Sequence, residues 1–219
     1  MWIETCCHRH RLSRKQFSQL SYKFHRPCGM SSTGWMWIET SIENFILSPD
    51  LINAVFPIPT QAYLKISLAQ QRLFLIENSQ VLFECPVSTG KNGAGETYGS
   101  GCTPRGWLVI KAKIGEGCPE NSVFVGRRAT GEIYNSQLQA QFPERDWILS
   151  RILWLGGLEP RKNRYGAVDT LRRFIYLHGT PDTVTLGVAN SKGCIRLHNA
   201  ELIHLFEQVK VGTRVFIGE

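Results

Sequence analysis

Cys194 sits in Ser191-Lys-Gly-Cys-Ile-Arg-Leu-His-Asn199, among neighbours able to make a thiol react. Cysteine attacks as its thiolate, so it needs a base or positive neighbour to remove its proton and backbone donors to hold the oxyanion it creates. Gly193 allows a sharp turn and close approach of a substrate, and the amides of Gly193 and Cys194 are expected to face one small concavity as oxyanion donors. Lys192 and Arg196 flank the thiol with positive charge. His178 ends the apolar run Phe174-Ile-Tyr-Leu177 and precedes Gly179-Thr-Pro181, so it falls at a strand end, where loops build sites, and is the expected base. Taken singly, these residues have ordinary explanations: an isolated cysteine is usually a small buried hydrophobe and an isolated histidine a structural residue. The combination is what no packing argument requires. Arg196 suits a substrate carboxylate or amide, or else a structural ion pair, while Ser191 and Tyr176 are expected pocket walls. His198 and His204 read as surface or cap residues.

The elements that must position this pair are mostly strands. From Ala62 onward, short β-branched and aliphatic runs alternate with Gly, Pro and Asn. Tyr63 to Leu68, Arg72 to Glu77 and Gln80 to Pro86 predict a three-stranded meander turning at Asn78-Ser79. Gly90 to Gly106 predicts a long glycine-rich loop, followed by a strand from Trp107 to Ala112. Phe174 to Leu177, Thr183 to Val188 and Arg214 to Ile217 are further expected strands. After the cysteine, Leu202, Ile203, Leu205, Phe206 and Val209 share one helical face, with Asn199 as the expected N-cap and Gly212 as the stop. Asn121 to Arg164, with Trp147, Trp154 and Gly156-Gly157, reads as an insertion, either a lid over the site or padding on the sheet.

Composition bounds the class. The chain has 219 residues, 42% hydrophobic and 20% charged, enough for one globular core, which excludes disorder throughout. Its net charge of +7 fits an anionic partner, but the basic residues crowd the first 35 positions, so nucleic-acid binding is not expected. Seven cysteines, an odd number, leave at least one thiol unpaired, and no CxxC pair calls for a metal or redox centre. No apolar run reaches a membrane-spanning length, and residues 1–35 lack an apolar segment with a small-residue cleavage site. Met-Trp-Ile-Glu-Thr occurs at Met1 and again at Met36, consistent with a mis-set start. The expected organisation is a basic arm at 1–40, a linker with a short helix at 41–60, and a catalytic domain at 61–219.

His178-Gly-Thr together with Ser191-Lys-Gly-Cys-Ile-Arg resembles the L,D-transpeptidases of the YkuD type. Pro86-Val-Ser-Thr-Gly90, Thr103-Pro-Arg-Gly106 and Gly212-Thr-Arg-Val-Phe-Ile217 extend the resemblance across about residues 61–219. One departure is Lys192, where many members have histidine. The resemblance implies a mostly β fold, a YkuD-like β-sandwich or mixed sheet with one helix after the cysteine loop and a few short helices. It implies Cys194 as nucleophile, His178 as proton donor and acceptor, and the Gly179 carbonyl as the group orienting His178. It further implies peptidoglycan stem peptides as partners, no cofactor or metal, and a place in the periplasm or cell envelope. Acyl transfer to an amine is the expected reaction. A cysteine carboxypeptidase or hydrolase of wall peptides, and a non-catalytic wall-binding module, are the alternatives.

Overall fold

The computed structural model describes residues 61–219; the expected arm at 1–40, the linker at 41–60 and the repeated pentapeptide lie outside the described residues. Ten strands form one curled, mixed sheet: β1 (Tyr63–Ser67), β2 (Arg72–Glu77), β3 (Gln80–Pro86), β4 (Gly106–Ile114), β5 (Ser122–Val125), β6 (Arg128–Ile133), β7 (Ile148–Gly157), β8 (Tyr176–Thr180), β9 (Ile195–His198) and β10 (Arg214–Gly218). The main path runs β3-β2-β1-β10-β4-β7-β5-β6, and β8 branches from β7 to carry β9. The α-helices among the described residues are α1 (Ser136–Gln141) and α2 (Asn199–Gln208).

Alternation explains the meander. In β1, Leu64 and Ile66 are fully buried while Lys65 points outward, and in β2 Leu73 and Leu75 face the same core. Strand β10 inserts parallel to β1, bringing Val215 and Ile217 to that core. The apolar stripe of α2, Leu202, Leu205 and Phe206, closes it with Val209 just beyond the helix. The helix C-terminus is held by Lys113, whose Nζ donates to the carbonyls of Phe206 (2.5 Å) and Val209 (2.7 Å). A cation there satisfies carbonyls that have no partner within the helix and opposes the negative end of its dipole.

Three expectations are corrected. The stretch Asn121 to Arg164 is neither lid nor padding: it supplies β5, β6 and α1 and the ten-residue β7, which pairs with β4, β5 and β8. Strand β7, Ile-Leu-Ser-Arg-Ile-Leu-Trp-Leu-Gly-Gly, is buried along nearly its whole length, so apolar residues follow one another from Ile152 to Leu155 instead of alternating with polar ones. Thr183 to Val188 forms no strand. Its chain turns at Pro181 to Val184, Gly187 takes a positive φ, and Val188 is half exposed. Asn199 does not cap α2 with its side chain; His198 holds the N-cap position, and Asn199 is buried with its amide group used elsewhere. Its Oδ1 accepts from Ser150 Oγ at 2.7 Å, and its Nδ2 donates to Asn121 Oδ1 at 2.9 Å and to the Thr180 carbonyl at 3.2 Å.

Candidate active site

Strands β8 and β9 run parallel with Leu177 opposite Ile195 and His178 opposite Arg196. Paired residues of a ladder project to the same side, and successive residues to opposite sides. Leu177, Ile195 and Leu197 therefore enter the main core. Tyr176, His178, Cys194 and Arg196 share the other face, where Cys194 packs against a smaller cluster that includes Tyr176 and Ile152. The two residues singled out for chemistry thus come to one face of adjacent strands although sixteen positions separate them.

His178 is 3% exposed, and its Nδ1 lies 2.9 Å from the Gly179 carbonyl oxygen. A carbonyl only accepts, so Nδ1 carries the hydrogen and Nε2 is left with a lone pair. Gly179 has to be glycine: a β-carbon there would collide with Asn199 Oδ1 and the Leu149 carbonyl oxygen. Burial pulls the His178 imidazole down to about 4; the Gly179 carbonyl and Asp146 oppose the shift, and Arg196 adds to it. Burial likewise pushes the Cys194 thiol up to about 11, against the Tyr176 main chain, Arg196 and Arg173, which favour the thiolate, while Asp146 disfavours it. Both partners of the resting site are therefore neutral. The Cys194 Sγ donates to the Phe174 carbonyl at 3.4 Å.

The cysteine loop is tied on both sides. Gly193 has φ of +117°, and a β-carbon would come 2.9 Å from the Cys102 carbonyl oxygen, so only glycine fits. The buried Thr103 hydroxyl donates to the Gly193 carbonyl at 2.9 Å and accepts from the Gly90 amide at 2.8 Å, joining the glycine-rich loop to the cysteine loop. Arg173 secures that glycine-rich loop from the other side, donating to the carbonyls of Gly95 (3.0 Å) and Cys102 (2.6 Å).

Several of the expected site residues have partners within the protein. The Gly193 amide donates to Ser191 Oγ at 3.0 Å and is engaged, whereas the Cys194 amide has no partner among the described residues. Ser191, expected as a pocket wall, is 1% exposed, and its hydroxyl donates to the Cys194 carbonyl at 2.5 Å, folding the loop from within. Tyr176 is also buried, and its Oη accepts from Arg127 Nη1 at 2.9 Å. Arg196 donates to Asp146 Oδ1 at 2.7 Å and to the Asn190 carbonyl at 3.2 Å, so the ion-pair reading describes it here. Lys192 is exposed, with Nζ 3.7 Å from the other oxygen of Asp146. Asp146, Arg173, Thr103 and Asn199 act around the site without having been expected as site residues. Of these, Thr103 had a local signal in its Thr-Pro-Arg-Gly turn and Asn199 in its place at the end of the cysteine motif. Among the described residues no group of three His, Cys, Asp or Glu side chains is placed to hold a metal ion, and no helix is long and apolar enough to cross a membrane.

Residues 61–217 match the family model of the YkuD L,D-transpeptidase catalytic domain, and the chain belongs to that family. Among curated proteins, it is 28% identical over 163 residues to YqjB of Bacillus subtilis (strain 168), whose name places it with the L,D-transpeptidases; the match covers 74% of each chain. It is 51% identical over 42 residues to YkuD of the same organism, 19% of this chain and 26% of that one. Among solved structures, the L,D-transpeptidase of Xylanimonas cellulosilytica DSM 15894 superposes with a TM-score of 0.47 at 19% identity, covering 74% of this chain and 62% of that one. The match thus spans about a quarter of YkuD and three-fifths of the Xylanimonas chain.

Proposed function

We propose that this chain is a cysteine L,D-transpeptidase acting on peptidoglycan stem peptides in the cell envelope. The observation that carries this reading is the shared face of β8 and β9, where His178, its tautomer set by the Gly179 carbonyl, accompanies the Cys194 thiol. The thiol attacks the carbonyl between the L-centre of the diamino acid at stem position three and the terminal D-alanine. A sulfur–carbon bond forms as His178 Nε2 takes the thiol proton. The carbon–nitrogen bond then breaks, and the same proton leaves with the amine of D-alanine, giving a thioester. An acceptor amine attacks the thioester, a carbon–nitrogen bond replaces the carbon–sulfur bond, and the amine's surplus proton returns through His178 to the sulfur.

Because the resting thiol and imidazole are both neutral, proton removal accompanies attack instead of preceding it. The Cys194 amide, lacking a partner, is the oxyanion donor in this reading, replacing the engaged Gly193 amide. Arg196 with Asp146 fixes the loop that presents both.

Intact-mass analysis after incubation with a disaccharide-tetrapeptide tests the proposal. A Cys194 adduct lacking D-alanine, followed by cross-linked dimer, is the expected outcome. Tripeptide without dimer would make the enzyme a carboxypeptidase. A wild-type protein that binds muropeptide without forming any adduct would leave only a wall-binding module.

A further inference from the structure

Arg127 stands at the tip of the β5–β6 hairpin with a positive φ of 68°. Its guanidinium carbon lies 4.7 Å from the centroid of the Trp154 ring and 4.7 Å from that of Phe174, and its Nη1 donates to Tyr176 Oη. Among the described residues no carboxylate lies within ion-pair distance of it. Two aromatic faces favour the cation but do not neutralise it. A guanidinium carries five N–H donors in a planar fork, and the Tyr176 hydroxyl accounts for one.

The same aromatic residues meet the nucleophile. Cys194 Sγ donates to the Phe174 carbonyl, and Cys194 packs against Tyr176. One wall, Phe174 and Tyr176, thus carries both the thiol and the unneutralised guanidinium. Phe174 is itself unusual, being 45% exposed and held at φ of +57°. A bulky residue in the left-handed region costs free energy, and with 45% of Phe174 exposed, core packing does not return all of it here.

We infer that Arg127 binds a carboxylate of the residues flanking the scissile bond of the acyl-donor stem peptide, beside the Phe174–Tyr176 wall, while Cys194 attacks. The inference rests on the proposed transpeptidase reaction. Arginine's fork engages both oxygens of a carboxylate at once, which fixes orientation as well as charge. On the two residues flanking the scissile bond the donor offers that group in two places, the C-terminus of the leaving D-alanine and any free side-chain carboxylate of the diamino acid.

The test measures thioester formation by intact mass in wild type, Arg127→Lys and Arg127→Gln, with melting curves to establish that each is folded. Three donors are compared: the tetrapeptide acid, its diamino-acid side-chain amide and its D-alanine amide. In wild type, amidating the carboxylate that Arg127 holds slows acylation roughly 10- to 100-fold, the range for a lost charge-assisted hydrogen bond, and amidating the other changes little. Which amide is slow identifies the source. Arg127→Gln acylates slowly with the acid and no longer distinguishes it from that amide, while Arg127→Lys recovers part of the preference. Equal wild-type rates on all three donors overturn the inference, as does an Arg127→Gln that loses the same factor on every donor, which would make Arg127 a hairpin clamp. If a variant does not fold, the wild-type donor series decides. Wild-type thioester without carboxylate preference defeats this inference alone; no thioester on any donor defeats the proposed reaction and this inference with it.

Discussion

Cys85 in β3 and Cys194 ahead of β9 are both thiols that burial makes less acidic, to about 12 and about 11. Their surroundings differ. Cys85 is 2% exposed in the main core opposite Leu73, and after burial the next influence on it, Glu201, also opposes ionisation. Cys194 is partly exposed on the far face of the sheet, with Arg196 and Arg173 favouring the thiolate and His178 on the neighbouring strand. Resting acidity therefore does not distinguish the core thiol from the proposed nucleophile. What separates them is access, an imidazole on the same face and a free amide beside the sulfur.

Substitutions can break that contrast. Cys194→Ala is expected to abolish the thioester and lower transfer by on the order of 10⁴-fold or more in a steady-state assay, since the nucleophile is irreplaceable. Cys85→Ala leaves transfer unchanged. His178→Gln keeps a side chain of similar reach but lacks the basic Nε2, and acylation falls by roughly 10²- to 10⁴-fold in single-turnover kinetics. An equal effect from Cys85→Ala would show that the core, not the exposed face, controls reactivity.

Titration sharpens the comparison. The His178 imidazole sits at about 4 in the folded protein against 6.5 when exposed, so between those values the unfolded chain binds the extra proton. Stability contributed by neutral His178 is present above pH 6.5 and lost as pH falls toward 4, about 3 kcal/mol in denaturant titrations, and His178→Gln flattens that slope. The thiols give the opposite limb. Their folded values lie above the exposed value of 9.0, so stability declines as pH rises from 9 toward 11. Iodoacetamide alkylation of Cys194, followed by peptide mass, climbs over the same interval while Cys85 stays unlabelled. A plateau already at neutral pH would mean a preformed thiolate. The smallest effect is the cost of Cys85→Ala itself, about 1 kcal/mol in a melting experiment.

The meander and the helix after the cysteine were legible because each follows from a local pattern, alternation in β1 and β2 and a helical stripe from Leu202 to Phe206; Cys194 and His178 stood out as candidates by their types beside glycine. Strand β7 was not, because burial of Leu153 and Leu155 together with Ile152 erases the period of two. Thr183 to Val188 has strand composition, but its backbone bonds are isolated ones, Val184 to Pro181 and Gly187 to Val87, while the neighbouring Ser88 backbone bonds to Arg196 on β9. Asp146 and Arg127 were invisible for another reason. Their importance comes from contacts with residues about fifty positions away, which no spacing within their own segments records.

Asn121, Ser150 and Asn199 make a three-residue buckle: Ser150 Oγ accepts from the Asn121 amide and donates to Asn199, whose other atoms reach Asn121 and Thr180. For anyone wishing to miniaturise the domain, this rules out the obvious excision. Cutting away the hairpin that begins at Asn121 would unfasten the amide that braces the end of β8, two residues from the imidazole, so a shortened scaffold would need a replacement donor at that spot before it could carry the same chemistry.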